Sequence, residues 1–357
     1  MDPSIIAFLV SAAVCLGILL TERWHHRASH DFGGERRKVH LEAVPRIGGL
    51  GLAAGILATT LVYRDFMGGL VNSLVLCALP AFLAGFQEDI TKSVTPAIRL
   101  LATMVSAALA WAFVGVRIDY TAIGLLDWFL AWPVLGFLFT SLAIASVAHG
   151  FNLIDGFNGL CGFTGLAVCG MFAFMGQAVG DELVLAMSLV AFSALLGFLL
   201  FNWPFGRLFL GDGGAYLLGF WLACAGVLLA TRNPNAISPF AVLLVLCFPA
   251  FEVLFSAIRR LRSGRRAATA ADHGHLHHLI YTKFLRRHLP NSLYTQSSVV
   301  LVYVPCFVML AWVPLAFPRS HAANGLAVAC FVLTYLWVYK KLAMSKRVAV
   351  LEPSSPA

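Results

Sequence analysis

Two apolar runs of this chain meet at Phe209-Leu210-Gly211-Asp212-Gly213-Gly214-Ala215, a glycine-rich turn holding one carboxylate. A plain helix–turn–helix connection accounts for the glycines but not for an acid fixed between them. Ionisable groups at membrane depth are costly, and those retained there serve another charge. The chemistry expected of the turn is metal or phosphate binding. A hard divalent cation takes oxygen ligands, and Mg²⁺ usually pairs one or two carboxylates with substrate phosphates. Asp212 is therefore the expected Mg²⁺ ligand.

Other polar clusters recur at the same point of the hydrophobic rhythm. Gln87-Glu88-Asp89 sets two acids side by side. A buried pair of this kind needs a cation or a raised pKa; a solvated pair is an ordinary helix end. In His149-Gly150-Phe151-Asn152-Leu153-Ile154-Asp155-Gly156-Phe157-Asn158-Gly159-Leu160, residues Asn152, Asp155 and Asn158 stand at three-residue intervals. That spacing puts them on one helical face, and the glycines permit a broken turn. An ordinary Asn/Asp/Gly connection competes with a ligand-binding loop here. Asn202, Pro204 and Arg207 lead into the Asp212 turn. Arg36-Arg37-Lys38-Val39-His40 and Pro45-Arg46-Ile47-Gly48-Gly49 read as a topogenic loop or as an anion site. In the second case the amides opening a helix after Arg46 would meet phosphate.

Further on, Arg259, Arg260, Arg262, Arg265 and Arg266 precede Asp272-His273-Gly274-His275-Leu276-His277-His278. Four histidines in six positions could bind zinc, but no thiolate or carboxylate cage accompanies them. A solvated loop is the bland alternative. Imidazole donors clamping phosphate suit the basic surroundings better.

These residues are carried by a chain of 357 residues that is 60% hydrophobic and 12% charged, with mean hydropathy +0.83. A soluble domain carries roughly 25% charged residues. Apolar windows longer than about 18 residues read as membrane spans. The fold expected is all-α: a polytopic membrane helix bundle of about 11 transmembrane helices. They fall near 3–21, 47–63, 68–86, 98–116, 130–149, 158–178, 184–203, 213–230, 236–257, 297–317 and 322–339. The first run lacks a basic n-region and is followed by Arg23 and Arg27, which favours an uncleaved anchor. Alternate loops (22–46, 87–97 with Arg99, 204–212, 258–296 and the tail after 339) hold 21 of the 25 Lys and Arg residues. Cytoplasmic loops retain such residues, so the N-terminus is expected outside and the C-terminus in the cytoplasm. The net charge of +8 then reports orientation rather than nucleic acid. The eight cysteines, none in a CxxC pair, read as small buried hydrophobes. One domain is expected over 1–345, with its polar loops near 22–46, 87–97, 150–158, 204–212 and 258–296 on one side. A disordered tail is expected over 346–357.

Taken together, the clusters resemble the polyprenyl-phosphate N-acetylhexosamine-1-phosphate transferases, a membrane family whose five motifs match in order over roughly residues 36–280. The RKxH…PRxGG block corresponds to Arg37, Lys38, His40, Pro45, Arg46, Gly48 and Gly49. The aspartate pair falls on Glu88 and Asp89, and NxxDGxDGL on Asn152, Asp155, Gly156, Asn158, Gly159 and Leu160. FxGDxGS falls on Phe209, Gly211, Asp212, Gly214 and Ala215, and HxHH on His275, His277 and His278. Three departures stand out: Glu88 for Asp, Asn158 for Asp and Ala215 for Ser. They are similar to departures in transferases that initiate O-antigen.

The resemblance implies a UDP-N-acetylhexosamine donor, undecaprenyl phosphate as acceptor, Mg²⁺ or Mn²⁺, and the inner membrane of a bacterium. A homodimer follows only from related members. In the expected reaction the lipid phosphate attacks the β-phosphorus of the donor and UMP leaves. Asp212 and Asp89 would hold metal, with Glu88 and Asp89 orienting the attacking phosphate. Asn152, Asp155, Asn158 and Asn202 would contact the nucleotide or its phosphates. Arg37, Lys38, His40, Arg46, His275, His277 and His278 would cradle phosphate. Two other classes remain open at this level. A transporter or lipid flippase would gather ionisable groups near the midplane and show inverted repeats; a nonenzymatic scaffold would tolerate loss of Asp212. Glu252, inside an apolar run near its cytoplasmic end, is the main exception to the gathering of polar residues at one end, and reads either as a support of the arginine loop or as a structural partner.

Overall fold

A computed structural model describes residues 2–29, 44–62, 69–263, 274–289 and 296–345. Arg37, Lys38, His40, Arg265, Arg266, Asp272, His273 and the tail 346–357 lie outside the described residues. The helices run in the order α1 (Pro3–Leu20), α2 (Glu22–Ser29), α3 (Gly49–Val62), α4 (Leu70–Thr91), α5 (Pro96–Phe113), α6 (Gly124–Leu130), α7 (Pro133–Ile154) and α8 (Leu160–Val179). They continue as α9 (Glu182–Asn202), α10 (Gly211–Arg232), α11 (Pro239–Val245), α12 (Cys247–Ser263), α13 (Leu276–Leu279), α14 (Arg286–His288), α15 (Ser298–Ala316) and α16 (His321–Met344). A π-helical stretch, Ile280–Leu285, joins α13 to α14.

The starts of the long helices follow from local chemistry. Proline occupies the first turn of α1, α5, α7 and α11, where its missing N–H has no helical partner in any case. Asp2, Thr95, Asp181, Ser238 and Ser320 cap α1, α5, α9, α11 and α16 with side-chain oxygens.

Each apolar run read from the sequence falls on a helix, with one correction. The run 236–257 is a pair, α11 and α12, bent by 77°. Pro249 cannot donate to the Val245 carbonyl, and its ring excludes that carbonyl from the helical position, so α11 stops at Val245. Eight described helices are long and apolar enough to cross a membrane, or nine with the bent pair as one span. The chain is thus a polytopic helix bundle, and α3, at 14 residues, is shorter than the rest.

Packing sorts the helices by depth. In α10, 94% of the apolar window is buried inside the protein, against 67% in α8 and α9 and 22% in α1, α5 and α16. A helix apolar on all sides belongs at the centre of a bundle, and α10 is that centre. Large apolar side chains such as Leu83, Leu101, Leu200, Leu326 and Leu333 face outward, as a lipid exterior requires. Of the cysteines, Cys15, Cys77, Cys161, Cys169, Cys224 and Cys247 are buried, whereas Cys330 is exposed. An apolar cavity of about 240 Å³ lies between α7, α10 and the α11–α12 bend, lined by residues such as Ile144, Ala223, Val242 and Leu246.

Candidate active site

Gly211 opens α10 with φ +76°, a conformation that L side chains rarely adopt, and a Cβ there would run into the Arg46 carbonyl. The glycine-rich stretch is therefore the first turn of a helix and not a loop between two. Gly214 lies flat against Gly49 of α3, where a Cβ on either would meet the other backbone. The segment before α3 pairs with the segment before α10. Gly48 N–H donates to Phe209 O at 2.8 Å, Gly49 N–H to Leu210 O at 2.8 Å, and Phe209 N–H to Pro45 O at 2.9 Å. These amides, expected to bind phosphate, are instead bonded to carbonyls. What the pairing delivers to the site is the Arg46 side chain.

The first amides of α10 receive carboxylates from two other helix ends. Gly211 N–H donates to Asp155 Oδ2 at 2.9 Å, Asp212 N–H to Asp89 Oδ1 at 2.9 Å, and Gly213 N–H to Asp89 Oδ2 at 2.9 Å. The leading N–H groups of a helix have no internal partner, and the helix dipole favours negative charge beside them. Asp89, at 1% exposure, and Asp155 thus fasten the start of α10. Asp212, on the same turn, accepts from Arg46 Nη2 at 3.2 Å and from Arg99 Nη1. Three carboxylates and two guanidinium groups converge, from residues up to 166 positions apart. Burial pushes the Asp155 carboxyl well above the usual carboxylate range; Arg46 and the Gly211 N–H pull it down, and Asp89 and Asp212 add to the rise.

Arg99 escaped the sequence reading, which counted it only as a topogenic charge. An arginine in the first turn of an apolar helix was the available signal. The acid pair divides. Glu88 Oε2 accepts the Val94 N–H at 2.7 Å and closes the turn between α4 and α5, a reach its longer arm allows. Asn152 Oδ1 accepts from the Tyr216 hydroxyl at 3.4 Å, and the Tyr216 ring lies 4.7 Å from that of His149.

Asn202 and Asn158 hold the neighbouring loops. Asn202 Oδ1 accepts from Gly159 N–H at 2.7 Å and its Nδ2 donates to Leu208 O at 2.8 Å. Asn158 Nδ2 donates to Pro204 O at 3.1 Å and Ser297 Oγ at 3.2 Å. The histidine turn is held by Glu252 of α12, and Phe157 joins it to the Asp155 loop, with ring centroids 5.7 Å from His277 and 5.1 Å from His278. All described site residues therefore sit at one end of the bundle, in two adjoining clusters. Among the described residues no three His, Cys, Asp or Glu side chains form a ready metal cage.

Comparison with known proteins gives a consistent picture. The profile of glycosyl transferase family 4 matches residues 71–230, a span that includes Asp89, Asp155 and Asp212. The chain is similar, at 27% identity over 310 residues, to the probable undecaprenyl-phosphate N-acetylglucosaminyl 1-phosphate transferase of Bacillus subtilis; the alignment covers 85% of this chain and 82% of that protein. It is 29% identical over 250 residues to the undecaprenyl-phosphate alpha-N-acetylglucosaminyl 1-phosphate transferase of Thermotoga maritima, covering 70% and 72%. It is 28% identical over 275 residues to the decaprenyl-phosphate N-acetylglucosaminephosphotransferase of Mycobacterium leprae, covering 68% and 67%.

Proposed function

We propose that this chain, which belongs to glycosyl transferase family 4, transfers an N-acetylhexosamine 1-phosphate from a UDP-sugar to a polyprenyl phosphate, releasing UMP at the cytoplasmic face of a bacterial inner membrane. The observation that carries the reading is Asp212, flanked by two arginines on the first turn of the most buried helix. An oxygen of the lipid phosphate attacks the β-phosphorus of the donor, the bond between that phosphorus and the bridging oxygen breaks, and UMP departs. A phosphate monoester, with its second pKa near 6, needs no strong general base.

Phosphoryl transfer depends on positioning and charge stabilisation, and the residues divide accordingly. Arg46 and Arg99 turn from Asp212 to the incoming pyrophosphate. His275 and His278 serve the donor phosphates from the second cluster, and the buried His277 supports them. Asn152 lines the nucleotide side, and Asn158 and Asn202 keep its loops in place. The donor set fits Mg²⁺: it is all oxygen, and the carboxylate of Asp212 already accommodates positive charge on both oxygens. Asp212 would hold the ion, which when bound neutralises charge on the pyrophosphate. Asp89, with both oxygens on amides, contributes through α10. The lipid-linked product would start a cell-envelope polysaccharide, O-antigen among the candidates. Gathering of the polar groups at one end of the bundle favours this reading over a transporter.

The test uses purified protein in detergent, assayed for UMP release in the presence of polyprenyl phosphate, UDP-N-acetylhexosamine and Mg²⁺. Release should need all three, and Asp212→Asn should lower it by about 10³-fold with folding intact. Sugar or lipid translocation in vesicles without UMP release would replace the proposal.

A further inference from the structure

Glu252 has no exposed surface and stands in an apolar stretch of α12, where no motif of the sequence claims it. A buried carboxylate loses several kcal/mol of hydration unless hydrogen bonds and opposite charge compensate. Its contacts come largely from one turn of chain. Leu276 N–H donates to Oε1 at 3.2 Å, His275 Nδ1 lies 3.3 Å from Oε2, and His277 Nδ1 lies 3.6 Å from Oε1. The two imidazoles are stacked 5° from parallel with centroids 5.4 Å apart, both turning their Nδ1 edge to the one carboxylate. With the Nδ1 edges facing Glu252, a phosphate can be met only through an Nε2 edge, and because His277 is wholly buried, Nε2 included, that edge is the one on His275. His278, half-buried, lies on the outer side of the same turn, its ring 4.7 Å from that of His277 and 5.1 Å from Phe157.

We propose that Glu252 is a positioning residue for the histidine turn: from the broken span it fixes the His275 and His277 ring orientations and the Leu276 amide, so that the turn presents the Nε2 edge of His275 and the His278 ring to the pyrophosphate of the donor. The proposal rests on the transferase reading for the identity of the ligand. Its structural content stands apart from that reading. The bend at Pro249 gives the arrangement its reason, since it turns the lower half of the span, and with it Glu252, toward the loop.

Three readouts on the full-length protein in detergent decide it. In Glu252→Gln, hydrogen exchange across residues 274–289 should quicken by about tenfold while α7 and α10 keep their protection. The KM for UDP-sugar should rise by about tenfold with the KM for polyprenyl phosphate unchanged. Adding His278→Ala to Glu252→Gln should cost less than about twofold beyond the single variant, because the two act through one turn. Unchanged exchange at 274–289, or full additivity with His278→Ala, would overturn the proposal. Should Glu252→Gln fail to fold, Glu252→Asp, which keeps the charge on a shorter arm, must show the same pattern in milder form. A wild-type protein that releases no UMP would remove the transferase reading, and the exchange experiment would still decide the positioning role.

Discussion

At Asp212 the two carboxylate oxygens face different arginines, Arg46 from the segment before α3 and Arg99 from the first turn of α5. An arginine offers a planar fork that a lysine cannot reproduce. Arg99→Ala should lower kcat by about 10²-fold, and Arg99→Lys should recover only part of that loss, as measured by UMP release. Asp155 supplies a test on the pH axis. Its folded-state pKa is raised, chiefly by burial. The folded protein then binds more protons than the unfolded chain between the ordinary Asp value, about 3.9, and the raised one. Its stability contribution is greatest below that window and falls as pH climbs through it. Asp155→Asn keeps an acceptor for the Gly211 N–H and removes this dependence. The melting-temperature difference between variant and wild type should move in favour of the variant from about pH 4 to about pH 7. A constant difference would mean that Asp155 titrates like an exposed acid.

The α10 N-terminus is an element whose first turn is completed by residues of two other helices. Asp89, at the end of α4, accepts two of its amides, and Asp155, just past α7, accepts a third. Asp89→Ala leaves two buried donors without their partner and should cost about 3 kcal/mol, read as a lower melting temperature in detergent. Asp89→Asn, with one acceptor oxygen in place of two, should fall between. If Asp89→Ala melted like the wild type while losing turnover, Asp89 would act on substrate and not on α10. The glycines at this junction have a packing reason: Gly49 and Gly214 let α3 and α10 approach until their backbones touch. The α11–α12 bend is the other element the periodicity did not reveal, because both halves are apolar and only Pro249 marks the break.

Across the whole molecule, the described polar clusters share one end of the bundle, and the proposal that this end faces the cytoplasm rests on the Lys and Arg distribution. Single cysteines placed at Ser93 and at Pro318 in a cysteine-free background test this with a membrane-impermeant thiol reagent on intact cells. Pro318 should label and Ser93 should not; the reverse would invert the topology. The sequence by itself determined the helical class, the apolar runs and the motif residues, because hydrophobicity and turn chemistry act over short distances along the chain. It also pointed to Asp212, since a lone carboxylate among glycines is costly in lipid, and the fold sets that residue between Arg46 and Arg99. Tertiary structure alone decided the division of labour among the rest. Asp89 and Asp155 accept the first amides of α10, the Gly48 and Gly49 amides are bonded to carbonyls, Asn202 holds a loop, and Glu252 faces two histidines. The physical reason is that a hydrogen-bonding group is used by whichever partner packing brings within about 3 Å. For pairs such as Asp89 with Gly213, 124 positions apart, that partner is set by how three helix ends meet.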